Sequence, residues 1–459
     1  MAHFHEYEGD LAWQHLKEAI DLLVDDATGR PNDERMSRTV AHLCAIALEV
    51  ATRARGSMRN RITRDEGKRY LKIGLAAAGP DDSEDHARLL VARSFEASAF
   101  RELRLDEEDL ERARQTGEAA AAMAQRLGRV DLQSAALDGI ADIHISVGRF
   151  EGVEGPVRRR LELVPKLSDP YEIGDIYAQA AWWALSTGRY RESVDQAERG
   201  FEGATPGSPL QALYCLDFRV AARFRLGEWD EALADVSLAE ELMGDRRDSP
   251  PGFAPMHLGI AAFIHDVRGD RGTASRYLGL VRWLEQVEER LDPVLTLWQS
   301  RLLARRGDFE EARGLLEREA VVETLYSRDE VLEAWCEVIS EEGAWDEAPK
   351  LGEQASAHAA WAGVPPLALF ATRLEGRAAG ARGSSERAVQ LLTSAIEGFT
   401  GLEAVWEAAV TMLDLAQVLA ASDRAEEAHR AAVEARPVFE RLGSVRELSR
   451  VDEVLGRPT

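Results

Sequence analysis

What the chain has least of narrows its class first. Its 459 residues include three cysteines, Cys44, Cys215 and Cys336. They are isolated, odd in number and without paired spacing, which argues against a disulfide framework and for a reducing compartment. Each reads as a small core residue. Long apolar runs are missing. The longest uncharged stretches, Ile176–Gly188 and Ser249–His265, are too short or too broken by proline to span a bilayer. The first ten residues lack the apolar core of a signal peptide. A soluble cytoplasmic protein with no membrane partner is expected. Valine-rich alternating runs are scarce, so no sheet is expected. Positive charge is in the minority, 56 basic against 81 acidic residues, a formal net charge of −25. Such a field repels a phosphate backbone and argues against nucleic acid as a partner.

What remains is 45 % apolar and 30 % charged, enough to fold. Alanine, leucine, glutamate and arginine dominate and favour helix. The organising feature is a turn that recurs. Gly307-Asp308-Phe309-Glu310-Glu311-Ala312 returns as Gly227-Glu228-Trp229-Asp230-Glu231-Ala232 and as Gly343-Ala344-Trp345-Asp346-Glu347-Ala348. Looser copies begin at Gly148 and Gly188. The turns open at Glu108, Gly148, Gly188, Gly227, Gly269, Gly307, Gly343, Gly383 and Asp423, in steps of 36 to 42 residues. Five residues after each opener stands a residue that is usually small: Ala113, Val153, Ser193, Ala232, Ala274, Ala312, Ala348, Ala388, Ala428. A small side chain lets the second helix of a pair cross close to the first. The glycine ends the first helix in a left-handed conformation, and the aromatic after it plugs the gap between the two.

Before this array, helical spacing predicts helices over 10–26, from a cap at Asp33 to about Arg55, over 66–78, and from a cap at Ser83 to about Leu103. A basic segment, Arg53, Arg55, Arg59, Arg61, Arg64, Lys68 and Arg69, reads as a solvated face, with an anion or acidic-partner contact as the alternative. Pro165, Pro170 and Pro206 fall in inter-unit loops, and Asp248-Ser249-Pro250-Pro251-Gly252 is read as a longer connection of the same kind. The expected organisation is degenerate helical repeats over 1–107, a regular array over 108–443, and a capping helix and tail over 444–459. Leu448, Val451 and Leu455 of the last helix lie on one face, as a terminal cap requires.

These turns, the small-residue positions and Arg441-Leu442-Gly443 resemble the tetratricopeptide repeat family in a longer-period form. The likeness covers at least Glu108–Gly456. The units exceed the family's length of about 34 residues, and aromatics inside the first helix are often replaced, as by His144 and Ala184. The long period and the stretch from Arg160 to Pro170 are also similar to the C-terminal repeat regions of large bacterial signalling proteins. Among these are nucleotide cyclases with a following ATPase module and the maltose-regulator type of transcription activators. The resemblance implies an all-α, right-handed α-α superhelix of antiparallel helix pairs, and a sensor or partner-binding arm. No phosphate loop of the Gly-x-x-x-x-Gly-Lys-Ser/Thr form accompanies it.

In such a superhelix the concave face is lined by the first helix of each pair, thirteen, ten, six and three positions before the opener. That spacing selects Asp138, Asp142, Asp175, Trp182, Tyr214, Asp217, Phe224, Phe263 and Asp266. It also selects Arg301, Glu333, Glu337, Phe370, Arg373 and Arg377. Aromatic anchors with mixed charge suit an extended peptide or an exposed partner helix. The candidate groove residues are Asp138, Asp142, Trp182, Tyr214, Asp217, Phe263, Asp266, Arg301, Phe370, Arg373 and Arg377. With only Asn32 and Asn60 as asparagines, the lysine–asparagine clamp for a peptide carboxylate is argued against.

Catalytic chemistry finds little support. His3 and His5 with Glu6 are too few for a metal site, and Asp138, Asp142 and His144 lack zinc-ligand spacing. No Gly-x-Ser-x-Gly elbow or Cys/His pair stands out. Glu288-Glu289 and Glu341-Glu342 read as charge runs on exposed helix surfaces. Gly376 and Gly380 read as close helix packing. No enzyme activity, cofactor or metal is expected. The leading expectation is a scaffold that binds a protein or peptide in its groove. The alternative is a ligand-sensing arm of a split cyclase- or ATPase-type system, with Trp182-Trp183 and the break at Ser249–Pro255 suiting a pocket or hinge. A homo-oligomer formed through exposed terminal helices is a further possibility for the partner.

Overall fold

In a computed structural model of the chain, the described residues are 9–53, 58, 60, 62–99, 107–244, 255–287, 293–321 and 328–456. Among them the only β-type pairing is an isolated bridge between Val24 and Pro31. The helix α1 (Gly9–Leu23) precedes α2 (Ser37–Arg53), which pairs with α3 (Arg64–Ala78). Next come α4 (Glu84–Ser94), its short extension α5 (Glu96–Ala99) and α6 (Glu107–Arg126). Hairpins then follow one another: α7 (Val130–Ser146) with α8 (Glu154–Leu161), α9 (Pro170–Ser186) with α10 (Tyr190–Ala204), and α11 (Pro209–Arg225) with α12 (Trp229–Met243). The series continues through α13 (Pro255–Val267) with α14 (Arg271–Val287), α15 (Pro293–Arg306) with α16 (Phe309–Val321), and α17 (Arg328–Glu342) with α18 (Ala348–Ala362). It ends with α19 (Pro365–Ala381) and α20 (Ser385–Gly401), α21 (Val405–Ala421) and α22 (Ala425–Leu442), and a terminal α23 (Val445–Leu455). The chain is an all-α helical solenoid.

The repeat chemistry acts as its composition requires. Gly148, Gly188, Gly227, Gly269, Gly307, Gly343 and Gly383 all have positive φ, and Asp423 takes φ 57° in the eighth turn. Each of the nine small-residue positions from Ala113 to Ala428 is buried. Where that position is polar it is satisfied: the Ser193 hydroxyl donates to the Ala181 carbonyl at 2.9 Å. A Cβ on Gly376 would meet Leu392 at 2.8 Å, and one on Gly380 would meet Val418 at 2.6 Å, so both glycines serve close packing. The first helices form the inner layer. Thirteen of the seventeen residues of α11 are buried, against six of fifteen in α12.

The N-terminal helices differ from expectation at their ends. α1 stops at Leu23 because the Asp25 carboxylate accepts from the Thr28 amide at 2.8 Å and its hydroxyl at 2.7 Å, a local turn that competes with helix. Asp33 caps a 3-10 turn, Glu34–Met36, and α2 begins after it. Ser83 caps α4 as expected, but that helix breaks at Phe95, where the Ser94 hydroxyl bonds the Val91 carbonyl. Glu108 lies inside α6 rather than opening a turn. The Asp248–Gly252 loop, and the histidines His3 and His5, lie outside the described residues. In α23, Val451 is buried with Leu448 and Leu455 packed against the same core. On α1, Leu22 is 80 % exposed and Leu11 42 %.

The solenoid closes on itself. The Arg441 guanidinium donates to the Gly227 carbonyl at 3.3 Å, across 214 residues. Arg268 donates to the Leu442 carbonyl at 3.0 Å, and Arg191 pairs with Glu403 at 2.7 Å. A Cβ on Gly227 would stand 2.9 Å from Val405, and one on Gly188 3.1 Å from Leu402, so these turns lie directly on later units. The separation amounts to about five repeats. Inside, the rings of Phe224, Phe263, Trp298 and Trp406 meet at 5.0–6.1 Å, bringing four units to one point. The accessible surface of 19216 Å² is only about a tenth above the ~17,000 Å² expected of a compact globule of 50.7 kDa. First helices therefore face one another across the axis, and the concave surface is largely interior.

Candidate inner-face site

Among the described residues, two networks gather charge from several units in this interior, apart from the buried pairing of Arg219 and Arg223 with Asp235. In the first, Asp138 and Ser134 are one turn apart on α7, and Glu172, Asp175 and Gln179 share a face of α9. Arg160 of α8 is fully buried between them. Its guanidinium donates to Ser134 at 3.1 Å, Asp138 at 3.0 Å, Gln179 at 2.7 Å, Glu172 at 3.2 Å and Asp175 at 2.5 Å. Arg53, at the end of α2, pairs with Asp138 at 3.2 Å, Glu172 at 2.9 Å and Asp175 at 2.8 Å. Three carboxylates thus meet two guanidiniums. Burial works against ionisation of Asp175, but Arg160 and Arg53 prevail and hold it below the usual carboxylate range. Burial, with Asp175 and Asp142 nearby, pushes Asp138 up to about 7 against the pull of both arginines.

That inequality sets a pH dependence. A carboxyl whose folded pKa lies above its unfolded value binds its proton more tightly when folded. It imposes no penalty below about pH 4, and a growing one as pH rises through about 7. Asp138→Asn removes the penalty. In urea unfolding, the variant is expected to gain on the wild type by on the order of 4 kcal/mol between about pH 4 and about pH 8. A difference that stays constant with pH would show that Asp138 is ionised throughout.

The second network joins units far apart in sequence. Arg225 of α11 reaches Glu333 of α17 at 2.6 Å and Glu407 of α21 at 2.5 Å. Arg301 of α15 donates to Glu333 and lies 2.6 Å from Glu337 as an ion pair. Arg373 of α19 donates to Asp414 at 2.8 Å. Arg305 holds Glu447 of α23 at 2.9 and 3.0 Å, and Arg446 holds Glu341 at 3.0 and 2.7 Å. Burial would raise Glu341, but Arg446 prevails and holds it at about 2. Glu341 is therefore an interior ion-pair partner and not part of an exposed charge run; Glu288-Glu289 lies outside the described residues.

Of the eleven candidate groove residues, six are buried and five half-buried. Asp138 belongs to the first network. Asp142 accepts a hydrogen bond from Ser98. Trp182 stacks on Phe218 at 5.7 Å, and Tyr214 meets the same ring edge-on at 4.8 Å. Asp217 accepts from the His257 amide at 3.1 Å and bonds its ring. Phe263 sits in the aromatic meeting point. Asp266 pairs with Arg306 at 2.7 Å. Phe370 packs on Phe399 at 5.2 Å. Arg301, Arg373 and Arg377 converge in the second network, where Arg377 approaches Asp414 at 3.5 Å and Trp345 at 5.4 Å.

Several network members escape the first-helix spacing. Arg53 is expected on a solvated basic face, and its side chain is instead buried among the carboxylates of the first network. Lys68 and Arg69 of that segment pair with Glu96 and with Asp21 and Asp26, while Arg55, Arg59 and Arg61 lie outside the described residues. Arg160 lies on a second helix. Its signal was available: it follows Val153 by seven residues and Val157 by three, on the apolar face, whereas Arg158 and Arg159 do not. Among the described residues no group of His, Cys, Asp and Glu has metal-site geometry, and no helix is long and apolar enough to cross a membrane. The three cysteines are free and buried.

Between α15, α17, α19, α21 and α23 lies a cavity of about 30 Å³, whose mouth brings the empty space to about 490 Å³. Phe263 and Trp406, with Ala304, Val410 and Leu413, form its apolar wall, and Ser340 and charged side chains form the rest.

No protein-family model matches the chain, and a comparison with curated protein sequences finds no match. Among solved structures, the chain is similar to a Rap protein complexed with competence and sporulation factor, at 12 % identity and a TM-score of 0.44, over 89 % of this chain and 99 % of that one. A circular tandem repeat protein with novel repeat topology and enhanced subunit contact surfaces aligns at 15 % identity and a TM-score of 0.20, over 99 % of this chain and 94 % of the other. Likenesses at this level bear on neither ligand nor activity.

Proposed function

We propose that the chain is a non-catalytic helical-repeat scaffold that receives a segment of a protein or peptide partner on its inner face. The role is in signalling or transcription regulation, as the resemblance of the long-period repeat implies, and the compartment is the cytoplasm. The observation that carries this reading is the chemistry of the inner face. Aliphatic side chains would fill such an interior at least as stably as arginine–carboxylate pairs do. Paired charges and aromatic rings are instead what a partner's polar segment can exchange with. Trp182, Tyr214 and Asp142, the half-buried members on α7, α9 and α11, form the entry. A second copy docking through α1, on which Leu22 stands exposed, is the other partner considered.

A photo-crosslinking amino acid in place of Tyr214, in cells of the native host, tests the proposal. One protein is expected to be captured there. It should be absent from the same probe at Arg436, an outer position paired with Glu440 and Asp452. Equal capture at both positions, or none at position 214, would remove the inner face from the reading.

The cavity favours a second reading, a ligand-sensing arm of a split cyclase- or ATPase-type system that holds a small molecule between repeats. Native mass spectrometry of the chain from its host is expected to show a small one-to-one adduct on that reading. A bare mass would count against it.

A further inference from the structure

We infer that the cavity between α15 and α23 is an oxyanion site, built for the phosphate or carboxylate end of a small organic anion. The inference rests on the ligand-sensing reading and names the chemistry it would use. Arg301, Arg305, Arg373, Arg377, Arg446 and Arg450 line the cavity. Facing them are Glu337, Glu341, Asp414 and Glu447. Six guanidiniums meet four carboxylates, and with Arg225, Glu333 and Glu407 behind them the balance is seven to six. In a chain that carries twenty-five more acidic than basic residues, an interior with surplus positive charge is a local departure. Buried charge without a counter-charge is unfavourable, and a bound anion removes that cost.

The hydrogen-bond balance points the same way. Arg377 Nη1 and Arg305 Nε are buried and have no acceptor. Arg450 meets the Gln417 side-chain oxygen at 3.2 Å, and no carboxylate is paired with it among the described residues. Burial, opposed by Asp414 and reinforced by the like charges of Arg373 and Arg450, holds the Arg377 guanidinium below its ordinary range. Guanidinium forks match the geometry of carboxylate and phosphate oxygens. The enclosed volume, room for about two water-sized spheres, suits an oxyanion group, with the body of the molecule passing out through the mouth. The donors come from α15, α19 and α23, so occupancy would tie together helices from different parts of the chain.

Inorganic phosphate is the probe, followed by its 31P resonance at constant ionic strength. The wild-type chain is expected to broaden the signal. Arg377→Gln is expected to weaken binding at least tenfold, Arg450→Gln less, and Arg436→Gln not at all. Arg450→Gln serves as the second variant should Arg377→Gln fail to fold. Displacement of phosphate by succinate identifies a carboxylate ligand; resistance to succinate identifies a phosphate ligand. No broadening by the wild type, or equal broadening by the variants at 377 and 450, overturns the site. That failure is separable from failure of the sensing reading, since an adduct in native mass spectrometry could persist without any oxyanion binding here.

Discussion

Arg160→Ala is expected to lower stability by about 3–5 kcal/mol, as loss of one partner from a buried ion-pair group does. Against a typical total of about 5–15 kcal/mol for folded proteins, that is enough to unfold the N-terminal units at moderate temperature. The guanidinium is fully buried and serves five acceptors on two helices. Without it, Asp138, Glu172 and Asp175 face Arg53 alone. Lysine is not a substitute, because a single ammonium cannot span the acceptors that a planar fork reaches. Because each unit packs mainly on its neighbours, the loss should appear first as a separate low-temperature transition of the N-terminal units. Circular dichroism melts of Arg160→Ala and Arg158→Ala provide the comparison. Arg158 is exposed and pairs one turn away with Glu154, so its loss should cost about 0.5 kcal/mol or less. If the two variants melt alike, the first network does not hold these units together.

Trp406→Ala should cost a similar amount, about 3–5 kcal/mol for a large aromatic removed from a packed core, and its consequence is of another kind. The Trp406 ring lies 5.1 Å from Trp229, 6.1 Å from Phe263 and 5.8 Å from Phe439, with the Arg305 guanidinium at 5.5 Å. Two of those partners, Trp229 and Phe263, belong to units five and four repeats earlier. Removing the ring therefore weakens the contact between successive turns of the solenoid as well as the packing of its own hairpin, where it meets Phe439. Urea unfolding of Trp406→Ala, Trp229→Ala and the double variant forms a cycle. A coupling of about 0.5–3 kcal/mol is expected for side chains in contact. Additive losses would mean that the two rings do not touch in solution.

The contrast between these two sites explains what could be read in the sequence. The hairpins were legible because their determinants are local: a glycine at positive φ, an aromatic beside it and a small residue five places on, repeated at a near-constant period. Ser83 marked a helix start by the same local logic. The closure was not legible. Gly227 and Arg441 stand 214 residues apart, and nothing near either announces the other. For the same reason Arg301, Arg373 and Arg377 could be assigned to the inner face but not to their partners. A charged residue on a helix face normally signals water. Here the counter-charge comes from a unit elsewhere in the array, as with Arg225 and Glu407. Arg160 was missed because the spacing rule considers only first helices, although Val153 and Val157 marked its face as apolar.

Small-angle X-ray scattering tests the central claim, the closure of the inner faces on one another, most directly. A compact chain of 459 residues is expected to have a radius of gyration of about 23 Å, and the wild type should fall close to it, with Trp406→Ala measurably larger. A wild-type radius larger by roughly a quarter or more than the compact value, unchanged in Trp406→Ala, would mean that the solenoid is open in solution and that its inner face is a solvent-filled trough.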